Sequence, residues 1–254
     1  AQDLDDMIQS EGPETVAAFI AEPVMGAGGV VVPPATYWEI IQAVLAKYDI
    51  LLIADEVICG FGRTGNMFGS TTFDIKPDIL TMSKQITSSY FPFSAFMIND
   101  RVYQPIADES GRIGVLGHGY TGGGHPVGAA VALENIKIIE ERDLVANAAE
   151  RGAELQAGLT DLTSHPLVGE ARGIGLIGAL ELIAPEGKSG DFAPGKLGAQ
   201  MNAIMLRNGL ISRNMTDAMA FCPPLIVGAN DVREIIQITK KSLEELAADI
   251  NGAA

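Results

Sequence analysis

Residues 50–56 read ILLIADE and residues 78–84 read DILTMSK. In each, an apolar run of strand length ends in polar groups, Asp55-Glu56 in the first and Ser83-Lys84 in the second. Neither run alternates apolar with polar, so both faces of each strand are expected to be covered. Residues 16–24 (VAAFIAEPV) and 94–98 supply two further short apolar runs. Between the runs at 16–24 and 50–56, residues 33–48 place Tyr37, Ile40, Ile41, Val44, Leu45 and Tyr48 at helical spacing. Residues 1–9 read as a helix ahead of a turn at Gly12-Pro13. Apolar strands alternating with helices predict an α/β fold with a parallel sheet covered on both sides.

Downstream the pattern changes. Residues 128–141 and 144–162 read as helices, the second long and amphipathic. Residues 168–183 alternate and are punctuated by glycine, which suits a β-hairpin. A helix over 197–208, short strands at 210–213 and 218–221, and a last helix over 231–249 follow. The core face of that last helix is expected to hold Val232, Ile235, Ile236, Ile238, Leu243 and Leu246. Residues 185–194 form a polar Gly/Pro loop. A domain change is placed in the long helix near residue 148, giving domains 1–148 and 149–254.

Composition narrows the function. The 254 residues are 47% hydrophobic and 19% charged, which is globular and not disordered. The net charge of −15 disfavours nucleic acid and anionic membranes as partners, because both need a basic face. Two cysteines make no disulfide framework, and no Cys/His zinc spacing occurs. The longest apolar runs are too short to span a bilayer. A cytoplasmic protein is expected. Residues 173–178 match GxGxxG, but a polar stretch precedes them where a buried strand should be, so a hairpin is the better reading. His118 and His125 lack a third ligand, so no metal is expected. Cys59 and Cys222 read as buried small hydrophobes, and Trp38 as helix packing.

The two strand ends carry the chemistry. Ligands of open α/β sheets sit at the carboxyl ends of the strands. Alone, Asp55 could be a helix cap or loop acid, and Lys84 a surface lysine. Together, an acid and a lysine on two strand ends favour a site. Pyridoxal phosphate catalysis needs such a pair. The lysine holds the cofactor aldehyde as a Schiff base, and burial would favour the neutral amine that must attack. The carboxylate keeps the pyridine nitrogen protonated, so that the ring acts as an electron sink. The freed lysine can then move a proton between substrate and cofactor carbons.

Four blocks carry a family resemblance: AEPVMGAGGVVVPP (21–34), LLIADEVICGFGRTGNMF (51–68), DILTMSKQITSSYFPFSAF (78–96) and HGYTGGGHPVGAAVALENI (118–136). In order and spacing they resemble the class III aminotransferases of pyridoxal-phosphate fold type I, over nearly the whole chain. The resemblance implies part of a large mixed or parallel α/β/α domain followed by a small α+β domain. It makes Lys84 the Schiff-base lysine, Asp55 the pyridine-nitrogen acid and Val57 a residue packing on one ring face. Thr121, with Tyr120 beside it, matches a threonine reaching the cofactor phosphate of a neighbouring subunit, which implies a homodimer. Flanking glycines, Gly119 and Gly122 to Gly124, would let a phosphate approach closely. Glu22 matches a glutamate near the cofactor, and Gln85 stands where many members have glycine.

Residues 211–226 (ISRNMTDAMAFCPPLI) resemble the ω-transaminase branch, which uses pyruvate as amino acceptor. There the arginine matching Arg213 pairs with a substrate carboxylate, for which a guanidinium is suited. Ornithine- and γ-aminobutyrate-type members carry arginine where Ala220 stands. The implied reaction moves an amino group from an ω-amino acid or amine to pyruvate or a similar keto acid. An aminomutase or racemase with the same cofactor is the alternative, as is a non-catalytic fragment. The chain opens on Ala1 and family members run to roughly twice its length. It is therefore expected to be the C-terminal portion, without the glycine-serine phosphate loop and the aromatic that stacks on the cofactor.

Overall fold

A computed structural model describes residues 1–185, 187 and 192–252. These fall into two compact units, one of residues 1–23, 33–61 and 67–142, the other of 24–32, 62–66 and 143–254. The loop expected over 185–194 lies partly outside the described residues.

The first unit begins with α1 (Gln2–Glu11), β1 (Ala18–Ala21), α2 (Tyr37–Lys47) and β2 (Leu51–Asp55). The short helix α3 (Gly69–Thr72), β3 (Ile79–Met82), β4 (Ala95–Ile98), α4 (Asp100–Ile113) and α5 (Pro126–Glu141) complete it. Its sheet has the order β1-β2-β3-β4. Helix α2 buries Trp38, Ile41 and Leu45 on one face, the i, i+3, i+7 stripe of an amphipathic helix. That stripe joins Ile8, Ile50, Leu52 and Ile75 in one core, and the Trp38 indole N–H donates to the Pro23 carbonyl at 3.4 Å. Lys47 Nζ donates to both carboxylate oxygens of Asp5, at 3.0 and 3.2 Å, tying α1 to α2. The Tyr48 hydroxyl and that ammonium hold the Asp5 carboxyl below its ordinary range.

The sheet departs from the parallel expectation in one place. β1 pairs β2, and β2 pairs β3, in parallel, but β3 pairs β4 antiparallel. A parallel return needs a crossover, usually a helix. The β3–β4 connection instead holds a 3-10 turn at Lys84–Ile86 and irregular backbone. The chain therefore turns straight back. Asp78 secures this arrangement: its Oδ2 accepts from the Leu52 N–H at 2.9 Å and its Oδ1 from Asn99 Nδ2 at 2.8 Å. The sheet is also less covered than expected. Among the described residues Ile20, Phe96 and Met97 are 59, 67 and 61% exposed.

Helix α4 does not show in the hydrophobic pattern of its sequence. Its charge-rich sequence and Pro105 mask the helical spacing of Val102, Tyr103 and Ile106, and none of its residues is buried. Both ends are nevertheless marked: the Asn99 side chain accepts from the Val102 N–H, and Gly114 closes it in the left-handed region.

The second unit holds α6 (Leu144–Asp161), the hairpin β5 (Val168–Ile174) and β6 (Ile177–Leu182), α7 (Lys196–Arg207), β7 (Arg213–Met215), β8 (Ala218–Phe221) and α8 (Ala229–Gly252). Its antiparallel sheet has the order β5-β6-β8-β7. The GxGxxG stretch is the turn of the hairpin, with Gly173 opposite Gly178 and Ile174 opposite Ile177. Gly175 turns the chain at φ +54, and a side chain there would strike the Arg63 carbonyl. In α8, Val232, Leu243 and Leu246 are buried as expected, with Thr239, Ser242 and Ile250, while Ile235, Ile236 and Ile238 are half-buried. Strand β7 begins at Arg213, where the sequence suggested that a strand ends. Cys59 is buried, but Cys222 is exposed. No helix among the described residues is long and apolar enough to cross a membrane.

Candidate active site

The parallel register of β2 and β3 puts Asp55 beside the strand that leads into Lys84. Asp55 is the last residue of β2 and is aligned with Thr81, three residues before Lys84. The ladder runs one step further, where the Glu56 N–H donates to the Thr81 carbonyl at 3.0 Å. Asp55 is half-buried, and its Oδ1 accepts from the Val57 N–H at 3.0 Å. That bond fixes the carboxylate across a tight turn and leaves Oδ2 without a hydrogen-bond donor among the described residues. Glu22 sits at the equivalent end of β1, one residue beyond the Ala21–Ala54 pair. Three acid or amine groups therefore mark the carboxyl ends of three adjacent strands.

Lys84 is exposed, not buried as the strand-end reading supposed. Its Nζ makes no hydrogen bond or ion pair among the described residues. Its backbone is unusual. Lys84 lies in the left-handed region at φ 46, as do Ser88 at 48 and Ser89 at 62. For non-glycine residues this conformation costs about 1–2 kcal/mol each. The segment is held by side-chain hydrogen bonds worth about 1 kcal/mol each. Ser83 Oγ donates to the Phe93 carbonyl at 3.2 Å, and Thr87 Oγ1 to the Phe91 carbonyl at 2.7 Å. Gln85 Nε2 donates to Ser88 Oγ at 2.8 Å, and Ser88 Oγ to Asn135 Oδ1 at 2.7 Å. Asn135 Nδ2 donates to the Gln85 and Ile86 carbonyls at 2.7 and 3.2 Å. The bonds offset a backbone cost of similar size.

Glu56 is a residue that the sequence reading passed over. It is fully buried, and its carboxylate accepts from the Gly69 N–H at 2.9 Å and from the Ser70 N–H and Oγ, both at 2.6 Å. It fastens the end of β2 to the start of α3, so Asp55 and Val57 flank an anchored residue. The only advance signal was an acid after an apolar strand, and that signal drew attention to its neighbour.

The segment around Thr121 stands clear of the other described residues. Tyr120 is 76% exposed, Thr121 is exposed, and a side chain at Gly119, Gly122 or Gly124 would meet nothing within 4 Å. The histidines here serve the backbone: His118 Nδ1 accepts from the Tyr120 N–H at 3.0 Å and His125 Nδ1 from the Val127 N–H at 3.3 Å. Thr121 is not brought to Lys84. Arg213 lies in the second unit, exposed, directly opposite Ala220 across the β7–β8 pair. A cavity of about 680 Å³ in that unit, beside His165, Lys240 and Glu244, holds none of these residues.

An amine and an acid at neighbouring strand ends fit a pyridoxal cofactor. Among the described residues the amine is unpaired and accessible for an aldehyde, and the acid is pre-oriented with an oxygen to spare for a ring nitrogen.

Relatives agree with this chemistry. The family profile "Aminotransferase class-III" matches residues 1–243. A solved "Transaminase with L-ala" shares 61% identity at a TM-score of 0.95, over 98% of this chain and 59% of its own. The omega transaminase of Pseudomonas jessenii, solved in complex with PMP, shares 54% at 0.93, over 99 and 56%. A putrescine–pyruvate aminotransferase of Pseudomonas aeruginosa is 45% identical over 98% of this chain and 54% of its own. The chain thus spans little more than half the length of the relatives it matches. On the profile and on these likenesses, it belongs to the class III aminotransferase family.

Proposed function

We propose that this chain is the lysine-bearing part of a pyridoxal-phosphate-dependent ω-transaminase. The enzyme would take an amino group from an ω-amino acid or amine and pass it to pyruvate or a similar keto acid. The observation that carries this is the parallel register placing Asp55 and Lys84 on adjacent strand ends. When bound, pyridoxal phosphate supplies the reactive aldehyde and the electron sink. Lys84 Nζ would hold the aldehyde and, as a free amine, would move the proton between the substrate carbon and the cofactor carbon. The Asp55 carboxylate would keep the pyridine nitrogen protonated, and Val57 would pack against the ring. Glu22 closes the third strand end beside them.

Arg213 binds the carboxylate of the keto acid, and its exposed place on β7 leaves it able to move. The putrescine–pyruvate relative and the transaminase solved with L-ala support pyruvate as acceptor. Thr121, with Tyr120 beside it, reaches the cofactor phosphate of a second subunit in a homodimer, a reading supported by their exposure. Residues 1–148 belong to the large cofactor domain and 149–254 to the small one. The acidic, cysteine-poor composition supports a cytoplasmic setting.

The test uses the full-length protein purified with pyridoxal phosphate. Borohydride reduction followed by peptide mass analysis is expected to find the cofactor on Lys84. Amine donors with pyruvate are expected to yield alanine. Reduction that labels no lysine, or another lysine, would refute the reading. Labelling without alanine from any donor would refute pyruvate as acceptor.

A further inference from the structure

Helix α5 backs the segment that carries Lys84. The His125 ring stacks on Phe91 at 6.2 Å, and a side chain at Gly128 would strike Phe93. Two turns further on, Asn135 binds three groups of residues 85–88 through one amide. Its Nδ2 donates to the Gln85 and Ile86 carbonyls, and its Oδ1 accepts from Ser88 Oγ, which also accepts from Gln85 Nε2. These bonds close a ring around the turn that Lys84 opens. Two of the left-handed residues, Lys84 and Ser88, bracket it. Asparagine suits this task because it offers donors and an acceptor in one plane. Alanine would offer neither, and aspartate would set a carboxylate against two carbonyls.

We propose that Asn135 is a positioning residue for Lys84. It touches neither cofactor nor substrate. It holds the turn so that the Lys84 backbone keeps its left-handed setting and Nζ keeps one angle to the cofactor ring. This rests on the reading that Lys84 holds the cofactor. The basicity of a nitrogen conjugated with that ring depends on its angle to the ring plane. Freeing the turn should therefore change the pH at which the visible band of the Lys84-linked cofactor titrates. Lower global stability alone would leave that pH unmoved.

The experiment compares full-length holoenzyme with Asn135→Ala, Asn135→Asp and Ser88→Ala. The two Asn135 variants are expected to move the titration midpoint by about half a pH unit or more. Their kcat is expected to fall about tenfold or more, with KM for the amine donor within about threefold. Ser88→Ala keeps the amide-to-carbonyl bonds and should show a smaller change in the same direction. If both Asn135 variants fail to fold, Ser88→Ala decides: an unmoved midpoint overturns the proposal. Midpoint and kcat unchanged in the Asn135 variants, with borohydride still trapping the cofactor on Lys84, would overturn it while sparing the underlying reading. Trapping elsewhere in the wild-type enzyme would fell both.

Discussion

Replacing Glu56 tests whether the end of β2 is fixed as described. Its carboxylate accepts three hydrogen bonds, two of them from buried backbone N–H groups of Gly69 and Ser70. A bond to a charged acceptor contributes about 1.5–3 kcal/mol net, and a buried donor left unpaired costs about 1–3 kcal/mol. Glu56→Ala removes all three acceptor contacts and leaves both N–H groups facing a hole. Relaxation and water entry recover part of the loss, so about 3–6 kcal/mol is expected. That is a large share of the 5–15 kcal/mol typical of a folded domain. Glu56→Gln keeps one acceptor oxygen but turns an NH2 toward one donor, so about 1–3 kcal/mol is expected. The assay is urea unfolding of the full-length protein, read as the shift in midpoint at constant slope. Because Asp55 and Val57 flank Glu56, the alanine variant should also hold pyridoxal phosphate more weakly. Losses below about 0.5 kcal/mol in both variants would refute the anchoring role. A loss in Glu56→Ala with none in Glu56→Gln would assign the effect to volume and not to hydrogen bonding.

Three further outcomes follow from the geometry together with the proposed function. Asp55→Asn preserves an acceptor for the Val57 N–H but removes the charge; kcat should fall about 100-fold or more with the Lys84 linkage still trapped by borohydride. Arg213→Ala should raise KM for pyruvate about tenfold or more while leaving the half-reaction with an uncharged amine near its normal rate, as single-turnover absorbance would show. Asp5 has a lowered pKa in the fold, so its contribution is present above about pH 4 and lost as pH falls through the depressed value. Hydrogen exchange in α1, corrected for intrinsic rates, should therefore lose protection below about pH 4 in the wild type, and lose less in Asp5→Asn.

What could be read in the chain was what local pattern determines. The runs at 50–56 and 78–84 became adjacent parallel strands, and their polar ends became the candidate site. The hairpin at residues 173–178 is legible because polar residues precede the glycines. Most of the misses are non-local. The antiparallel return of β4 depends on how residues 83–94 fold, and periodicity says nothing about their direction. Glu56 and Asn135 work through partners 13 to 50 positions away, which no spacing rule connects. Helix α4 was hidden by its polarity, although Asn99 and Gly114 marked its limits. The exposure of Cys222 and of Lys84 depends on packing around short segments, which residue type alone does not fix.

The left-handed backbone at Lys84 also has a consequence for protein engineering. On the proposed function, the position that needs a lysine for chemistry is one that the chain geometry would give to glycine. Activity and stability are thus opposed at a single residue. Glycine at position 84 would abolish the linkage to the cofactor yet relieve the backbone, making the inactive protein about 1 kcal/mol more stable than its alanine counterpart. Melting the two apoproteins side by side would show it, and equal midpoints would contradict it. Selection for thermal stability alone would therefore favour loss of the reaction at this residue, so any stability screen on this chain must be coupled to a test of function.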